Sequence, residues 1–368
     1  MPRLVFDYVE GGAGREVATA RNEAEFDKVT LQSRVMRQTS ARSLATSFLG
    51  YTYQRPFGIA PMGMCNIMWP GADQMLARAA KEMDIPLCLS SAASSTIEEM
   101  RDWAGENGWF QLYVSGSVDV AMKLIDRAEK AGYDHLVLTV DVPQVARRKR
   151  DCRNGFQMPF RIGPRQFLDF ARHPNWAIST LLAGAPQPRN FQAGFDRSAS
   201  RAGADWHFLD VLRKRWTGKL IVKGITCAQD ALRIRNAGAD AVYVSNHGGR
   251  QLDASPAAIS LLPAIRAAVG PKYPLIFDSG LRSGEDIARA MALGADFVML
   301  GRPLLYAIGA ERERGLFSLL RIIAEELDLT LAQLGLTSPG DLSEETLAGA
   351  CDAGIHTHHG QFFNKAGE

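Results

Sequence analysis

AGYDHLVLTVD (Ala131–Asp141), AGADAVYVSNH (Ala237–His247) and LGADFVMLGRP (Leu293–Pro303) are three versions of one phrase. In each, a helical pattern ends at a glycine, which suits the left-handed backbone that follows a helix. An aspartate comes next, then a short apolar run, then a polar or glycine-rich break. Five further apolar runs lack the full phrase: FGIAPM from Phe57, LCLSS from Leu87, FQLYV from Phe110, LIVKG from Leu220 and LIFDSG from Leu275. Helical patterns separate most of them. SSTIEEM sets Ser95 and Glu98 at capping-box spacing, and TCAQDALRI does the same with Thr226 and Gln229. SGEDIARAMALGAD opens on a capping Ser283 with acids in its first turn and ends at Gly294. Apolar strands alternating with helices are buried on both faces, so the sheet is parallel. Eight of them favour a closed (β/α)8 TIM barrel. An open doubly wound sheet is the alternative, but the G-x-G-x-x-G expected after its first strand is missing there.

The chain has 368 residues, 46% of them hydrophobic, and a formal net charge of +2. We read residues 1–368 as a single domain. The near-neutral balance gives no reason to expect nucleic acid. Five scattered cysteines form no CxxC and no metal-type spacing, which fits a reduced, cytoplasmic chain without a metal. The opening MPRLVFDYVEGGAGREV lacks the apolar core of a signal peptide, and no run reaches the ~18 apolar residues of a membrane span. One connection breaks the rhythm: an extended excursion over 150–205, after the fourth strand. It contains FLDFARHPNWAISTLLAGAP, amphipathic enough for one or two short helices. The segment is only weakly basic, which favours a lid or subunit contact over a membrane-surface patch. Peripheral contact with the inner membrane face is the second reading. The histidines of HTHHGQFFN, near the C-terminus, have no acidic or cysteine partners and read as a solvated tail.

In a parallel barrel the strand ends share one rim, where barrel enzymes keep their active sites. The first strand ends in Pro61-Met62-Gly63 and the second in Ser90-Ser91. The third carries Gln111 and Tyr113, and the fourth Thr139 and Asp141. Then come Lys223-Gly224, Ser245-Asn246-His247, Asp278-Ser279-Gly280 and Gly301-Arg302. Alone, Asp141 or Asp278 reads as a turn residue and His247 as a packed histidine. Lys223 is harder to dismiss, since a lysine at the end of an apolar strand needs a partner. His247, Arg250, Asp141 and Lys223 together on one rim argue for chemistry. Gly280 and Gly301 let backbone N–H groups approach a phosphate, with Arg282 and Arg302 supplying charge. The basic run ARRKRDCRNGF from Ala146 falls on the same rim, where an arginine can bind an anionic substrate.

SNHGGRQLD resembles the signature of the FMN-dependent (S)-2-hydroxy acid dehydrogenases and oxidases. The likeness extends through FDYVEGGAGRE, IAPMGM, FQLYV, LTVDVP, RRKRDCRN, IVKGI and FDSGLRSGEDIARAMALGADFVMLGRP, in order along nearly the whole chain. The resemblance implies FMN as cofactor and roles for matching residues. His247 is the base, paired with Asp141. Arg250 and Arg148 grip the substrate carboxylate, and Tyr113 and Tyr8 contact the substrate. By sequence alone Tyr8 reads as an ordinary core aromatic. Lys223 lies beside the flavin ring, with Pro61, Met62, Gly63, Ser90, Gln111, Thr139 and Ser245 as further flavin contacts. Asp278, Gly280, Arg282, Gly301 and Arg302 hold the ribityl phosphate.

The chemistry suits these types. Arginine binds a carboxylate bidentately. A histidine, with an ordinary pKa of about 6.5, is a base at neutral pH. The expected function is oxidation of a lactate- or mandelate-like (S)-2-hydroxy acid, with electrons passed to a quinone or other acceptor. Gly63 stands where many oxidases carry alanine, and relatives with glycine there often use acceptors other than oxygen. Ala92 stands where some relatives carry tryptophan, which leaves room for the substrate side chain. The alternatives are an oxidase that makes hydrogen peroxide, a non-redox phosphate-binding isomerase or lyase, and a flavin binder without turnover. The resemblance also implies a homo-oligomer, a tetramer.

Overall fold

Eight parallel strands follow one another around a closed barrel: β1 (Phe57–Met62), β2 (Leu87–Ser90), β3 (Gly108–Leu112), β4 (His135–Thr139), β5 (Lys219–Ile225), β6 (Ala241–Val244), β7 (Leu275–Phe277) and β8 (Phe297–Leu300). β8 closes on β1 with Val298 opposite Phe57. This is the (β/α)8 architecture expected from the eight apolar runs. The computed structural model describes residues 1–156, 162–191 and 199–348. The HTHHGQFFN segment lies outside them.

The strands are apolar throughout because each face meets a different neighbour. In β4, Val137 points into the barrel with Trp109, Ile221 and Phe297, while Leu136 and Leu138 join the layer under the helices. The repeated phrase has a physical reason as well. Gly132, Gly238 and Gly294 have φ of 83°, 83° and 107°, as a chain leaving a helix requires. The aspartate two residues on ties neighbouring strands together. Asp240 accepts the backbone N–H of Leu220 at 2.9 Å, and Asp296 that of Leu275 at 2.8 Å. Arg213 and Arg266 neutralise the two carboxylates.

Two capping expectations need correction. The box before the helix Ile97–Ala104 is formed by Thr96 and Glu99, one residue later than expected, because the Ser95 N–H donates to the buried Asp73. The helix Ala228–Asn236 starts after Cys227 with no side-chain cap, and Gln229 accepts the Cys227 thiol instead. Ser283 does cap its helix, in a box with Asp286.

The hairpin Thr46–Phe48 and Tyr51–Tyr53, which was not expected, plugs the barrel end opposite the rim with Phe48 and Tyr53. Among its described residues the excursion opens with the helix Lys149–Asn154 and goes on to a pair of short helices, Pro164–Ala171 and Pro174–Ala183. Trp176 pins it to the loop after β1, donating to the carbonyls of Ile67 and Met68. At the other end of the chain, the helices Arg3–Glu10 and Val17–Ala24 lie against the catalytic rim.

Candidate active site

β6 ends in a loop with an unusual backbone. His247, Gly248 and Gly249 have φ of 58°, 62° and 75°, three left-handed residues in a row. The glycines are needed for space too. A Cβ on Gly248 would stand 2.7 Å from Arg302 Nη1, and one on Gly249 would stand 2.5 Å from the Thr19 nitrogen. A non-glycine residue at positive φ, such as His247, is strained and is held by its surroundings.

The imidazole meets residues from two other strands. Nδ1 lies 3.0 Å from Asp141 Oδ1, just past β4. An ionised carboxylate only accepts, so Nδ1 carries the proton and Nε2 keeps its lone pair. Nε2 lies 3.4 Å from the Tyr113 hydroxyl, just past β3. Burial, then the Asp141 charge, pushes the Tyr113 phenol well above its ordinary pKa, so it stays protonated. Gly224 lets Asp141 come so close, since a Cβ there would stand 2.5 Å from Asp141 Cβ.

Lys223, on β5, is buried and donates to Asp278 Oδ2 at 2.6 Å and to Ser245 Oγ at 2.7 Å. Burial alone would raise the Asp278 carboxyl. The Lys223 ammonium and the Ser245 and Ser279 hydroxyls outweigh it and hold the group below the usual carboxylate range.

His247, Tyr113, Lys223 and Asp278 line one open cleft. Of the sequence candidates, Tyr8, Tyr113, Arg148, His247 and Arg250 line one part of it. Pro61, Met62, Gly63, Ser90 and Lys223 line its floor. Asp278, Gly280, Arg282, Gly301 and Arg302 line the rest. Asp141, Gln111, Thr139 and Ser245 stand behind the wall. Gln111 is fixed by Ser90, which donates to its Oε1 at 3.0 Å, and by Thr139, which accepts from its Nε2 at 2.9 Å.

Two arginines do more than was expected. Arg250 donates to the carbonyls of Tyr8, Val9 and Gly11, and Arg302 to those of Val9, Gly11 and Gly248. Both therefore bind the C-terminal end of the first helix, where carbonyls lack helical partners. Arg282 pairs with Glu23.

Sequence reasoning missed Asn22 and Arg201, and it placed Asn246 and Ser279 on the rim without giving them a role. Asn22 and Asn246 exchange amide hydrogen bonds of 2.8 and 2.7 Å and are both buried. Arg201, from the end of the excursion, lines the cleft with its guanidinium 5.4 Å from the Tyr113 ring centre. Asn246 and Ser279 stand beside His247 and Asp278, which is signal enough to suspect them; Asn22 and Arg201 carry no local signal.

The cleft fits FMN on its own geometry. Gly301 precedes the helical segment Arg302–Leu334, which is interrupted at Glu311 and Arg312. No side chain caps its N-terminus, and Gly301, Arg302 and Pro303 at that end line the cleft, so the helix dipole there suits a phosphate. A Cβ on Gly301 would meet nothing closer than Met62 Sδ at 3.9 Å, so glycine keeps that approach open.

The family model described as FMN-dependent dehydrogenase matches residues 1–349. (S)-Mandelate dehydrogenase of Pseudomonas putida is 37% identical over 357 residues, covering 94% of this chain and 90% of the relative. L-lactate dehydrogenase of Pseudomonas syringae pv. syringae is 35% identical over 356 residues, covering 92% of each. Among solved structures, the monotopic membrane protein (S)-mandelate dehydrogenase superposes with a TM-score of 0.90 at 37% identity, covering 94% of this chain and 95% of that one. Mandelate oxidase with (S)-2-phenylpropionate gives 0.80 at 32% identity, covering 92% of each.

Proposed function

The chain belongs to the FMN-dependent dehydrogenase family, and from that premise we propose how its residues oxidise a 2-hydroxy acid to the 2-oxo acid. Bound FMN supplies the electron sink for the pair that leaves C2. Arg250 and Arg148 bind the substrate carboxylate and so fix the direction in which the one hydrogen on C2 points. His247 Nε2 removes a proton, and Asp141 stabilises the imidazolium that forms. Tyr113, kept protonated, donates a hydrogen bond toward the same oxygen that His247 serves. Tyr8 walls the substrate chamber, stacked on Phe156 with ring centres 4.4 Å apart. Lys223 would supply a buried positive charge to the cofactor ring, which Ser90, Gln111 and Thr139 would help to hold. Gly280, Gly301, Arg282 and Arg302 receive the phosphate end. The single observation that carries this reading is the Asp141–His247–Tyr113 chain opening into a cleft that two arginines share.

The substrate we infer is lactate- or mandelate-like, with Ala92 leaving space for a side chain larger than methyl. The acceptor we infer is a quinone rather than oxygen. Gly63 supports this, since it stands where many oxidases of the resembled family carry alanine. The likeness to mandelate oxidase is the observation that favours the oxidase reading instead. The test is anaerobic reduction of the yellow enzyme by a panel of (S)-2-hydroxy acids, followed by reoxidation. We expect bleaching, then faster return of colour with a soluble quinone than with air-saturated buffer. Faster return with air would establish the oxidase.

A quinone acceptor implies contact with a bilayer. Among the described residues no helix is long and apolar enough to cross a membrane. The two excursion helices nevertheless expose Phe167, Leu168, Ile178, Leu181 and Leu182, the last two more than 80% accessible. Exposed Arg165 and Arg172 flank them. Apolar residues edged by cations suit an anionic lipid surface, and the structural likeness to a monotopic membrane protein supports the same occupant. We set this reading ahead of the lid or subunit contact favoured by composition. The double change Leu181→Glu, Leu182→Glu should lower partition onto anionic vesicles at least about tenfold, because each leucine contributes roughly 1.5–3 kcal/mol on burial. Flavin reduction in solution should be unchanged. Unaltered vesicle binding would remove the patch from the account.

A further inference from the structure

Ser279 has φ of 89°, a backbone region where glycine sits freely and serine is strained. Strain of this kind persists where surrounding contacts over-determine it, and here the contacts are visible. Ser279 Oγ accepts the N–H of Asn246 at 3.3 Å and that of Gly248 at 3.1 Å, the residues on either side of His247. Its hydrogen goes to Asp278 Oδ1 at 2.9 Å. Ser245 repeats the arrangement. Its Oγ accepts the His247 N–H at 3.0 Å and the Lys223 ammonium at 2.7 Å, and it too donates to Asp278 Oδ1. Asp278 Oδ2 takes Lys223 and the Tyr243 hydroxyl. Each hydroxyl thus has its one hydrogen and both acceptor sites in use, which leaves a single consistent proton arrangement. Ser245, Ser279, Asp278 and Lys223 are all buried.

We infer that Ser279 is a positioning residue for the base: together with Ser245 it transmits the location of the Lys223–Asp278 pair to three consecutive backbone amides, 246 to 248, and so sets where the His247 imidazole stands. The inference rests on reading His247 as the base. It explains why a strained serine occupies a turn that glycine would accept more easily. It also means that the lysine at the cofactor ring and the histidine at the substrate are mechanically one unit.

The test is Ser279→Gly, which removes the hydroxyl and relieves the backbone, so folding is not burdened. In the FMN-loaded enzyme, hydrogen–deuterium exchange of the 245–250 segment should quicken about tenfold or more, with the β7 and β8 amides unchanged. In turnover, kcat should fall about tenfold while KM for the 2-hydroxy acid and the affinity for FMN stay within about twofold; tenfold corresponds to ~1.4 kcal/mol of barrier. Unchanged exchange at 245–250 would overturn the positioning role, as would exchange rising throughout the barrel. FMN affinity falling in step with kcat would assign Ser279 to cofactor binding instead. If the wild type is not bleached by any 2-hydroxy acid, the proposed reaction fails, yet the exchange measurement still decides whether Ser279 holds the loop.

Discussion

His247→Ala is expected to slow flavin reduction by a 2-hydroxy acid by about 10²–10⁴-fold or more, the range carried by a positioned proton acceptor, while FMN remains bound. The imidazole reaches the cleft through Nε2 alone, because Nδ1 is committed to Asp141. Asp141→Asn should fall in the same range, since an amide that turns its NH2 toward Nδ1 reverses the tautomer and destabilises the imidazolium. The pair act as one unit, so the double variant should be hardly slower than His247→Ala. Stopped-flow absorbance of the flavin measures all three. Multiplicative losses in the double variant would mean that Asp141 acts independently of the histidine, and rapid reduction in His247→Ala would remove the base.

Lys223→Met is expected to be the most damaging single change to the fold of the site. The substitution keeps the volume and removes the charge that faces Asp278 across 2.6 Å in a buried setting. Breaking one side of such a pair costs about 3–5 kcal/mol, because the other charge is left uncompensated. Chemical denaturation should show the loss, and adding Asp278→Asn should return part of it. The pH dependence has a definite sign. Asp278 is held below the usual carboxylate range by Lys223 and the two serines. Its contribution is therefore complete above the unfolded value of about 3.9 and fades as pH falls through the depressed folded value. The deficit of Lys223→Met should be largest near neutrality and shrink in acid. A deficit independent of pH would mean that lost packing, and not the charge pair, explains it.

The barrel was legible because its strands are continuous apolar runs and its helix exits are glycines with an aspartate two residues on. The three-residue strands of the hairpin over 46–53 were not, since so short a segment has no period to read. The capping box expected at Ser95 slipped because Asp73, distant in sequence from Ser95 and buried beside it, claims an amide that local spacing had assigned elsewhere. At the site, the rim rule brought His247, Asp141, Lys223 and Arg250 together from strand ends alone. Tyr8 needed the resemblance, because it enters from a helix that precedes the barrel. Asn22 and Arg201 stayed invisible for the same general reason: each matters through contacts that join distant segments, and nothing within a few residues marks it. Two arginines expected to serve ligands, Arg250 and Arg302, also close a helix end, a second duty that a strand-end rule has no means to express.

That helix end has a consequence for biosynthesis. The carbonyls of Tyr8, Val9 and Gly11 meet guanidinium groups from positions 250 and 302, more than 230 residues downstream. At roughly 5–20 residues per second, this segment waits on the order of tens of seconds for those partners. The helix Arg3–Glu10 can therefore take its place on the rim only once Arg302, just past β8, has been made.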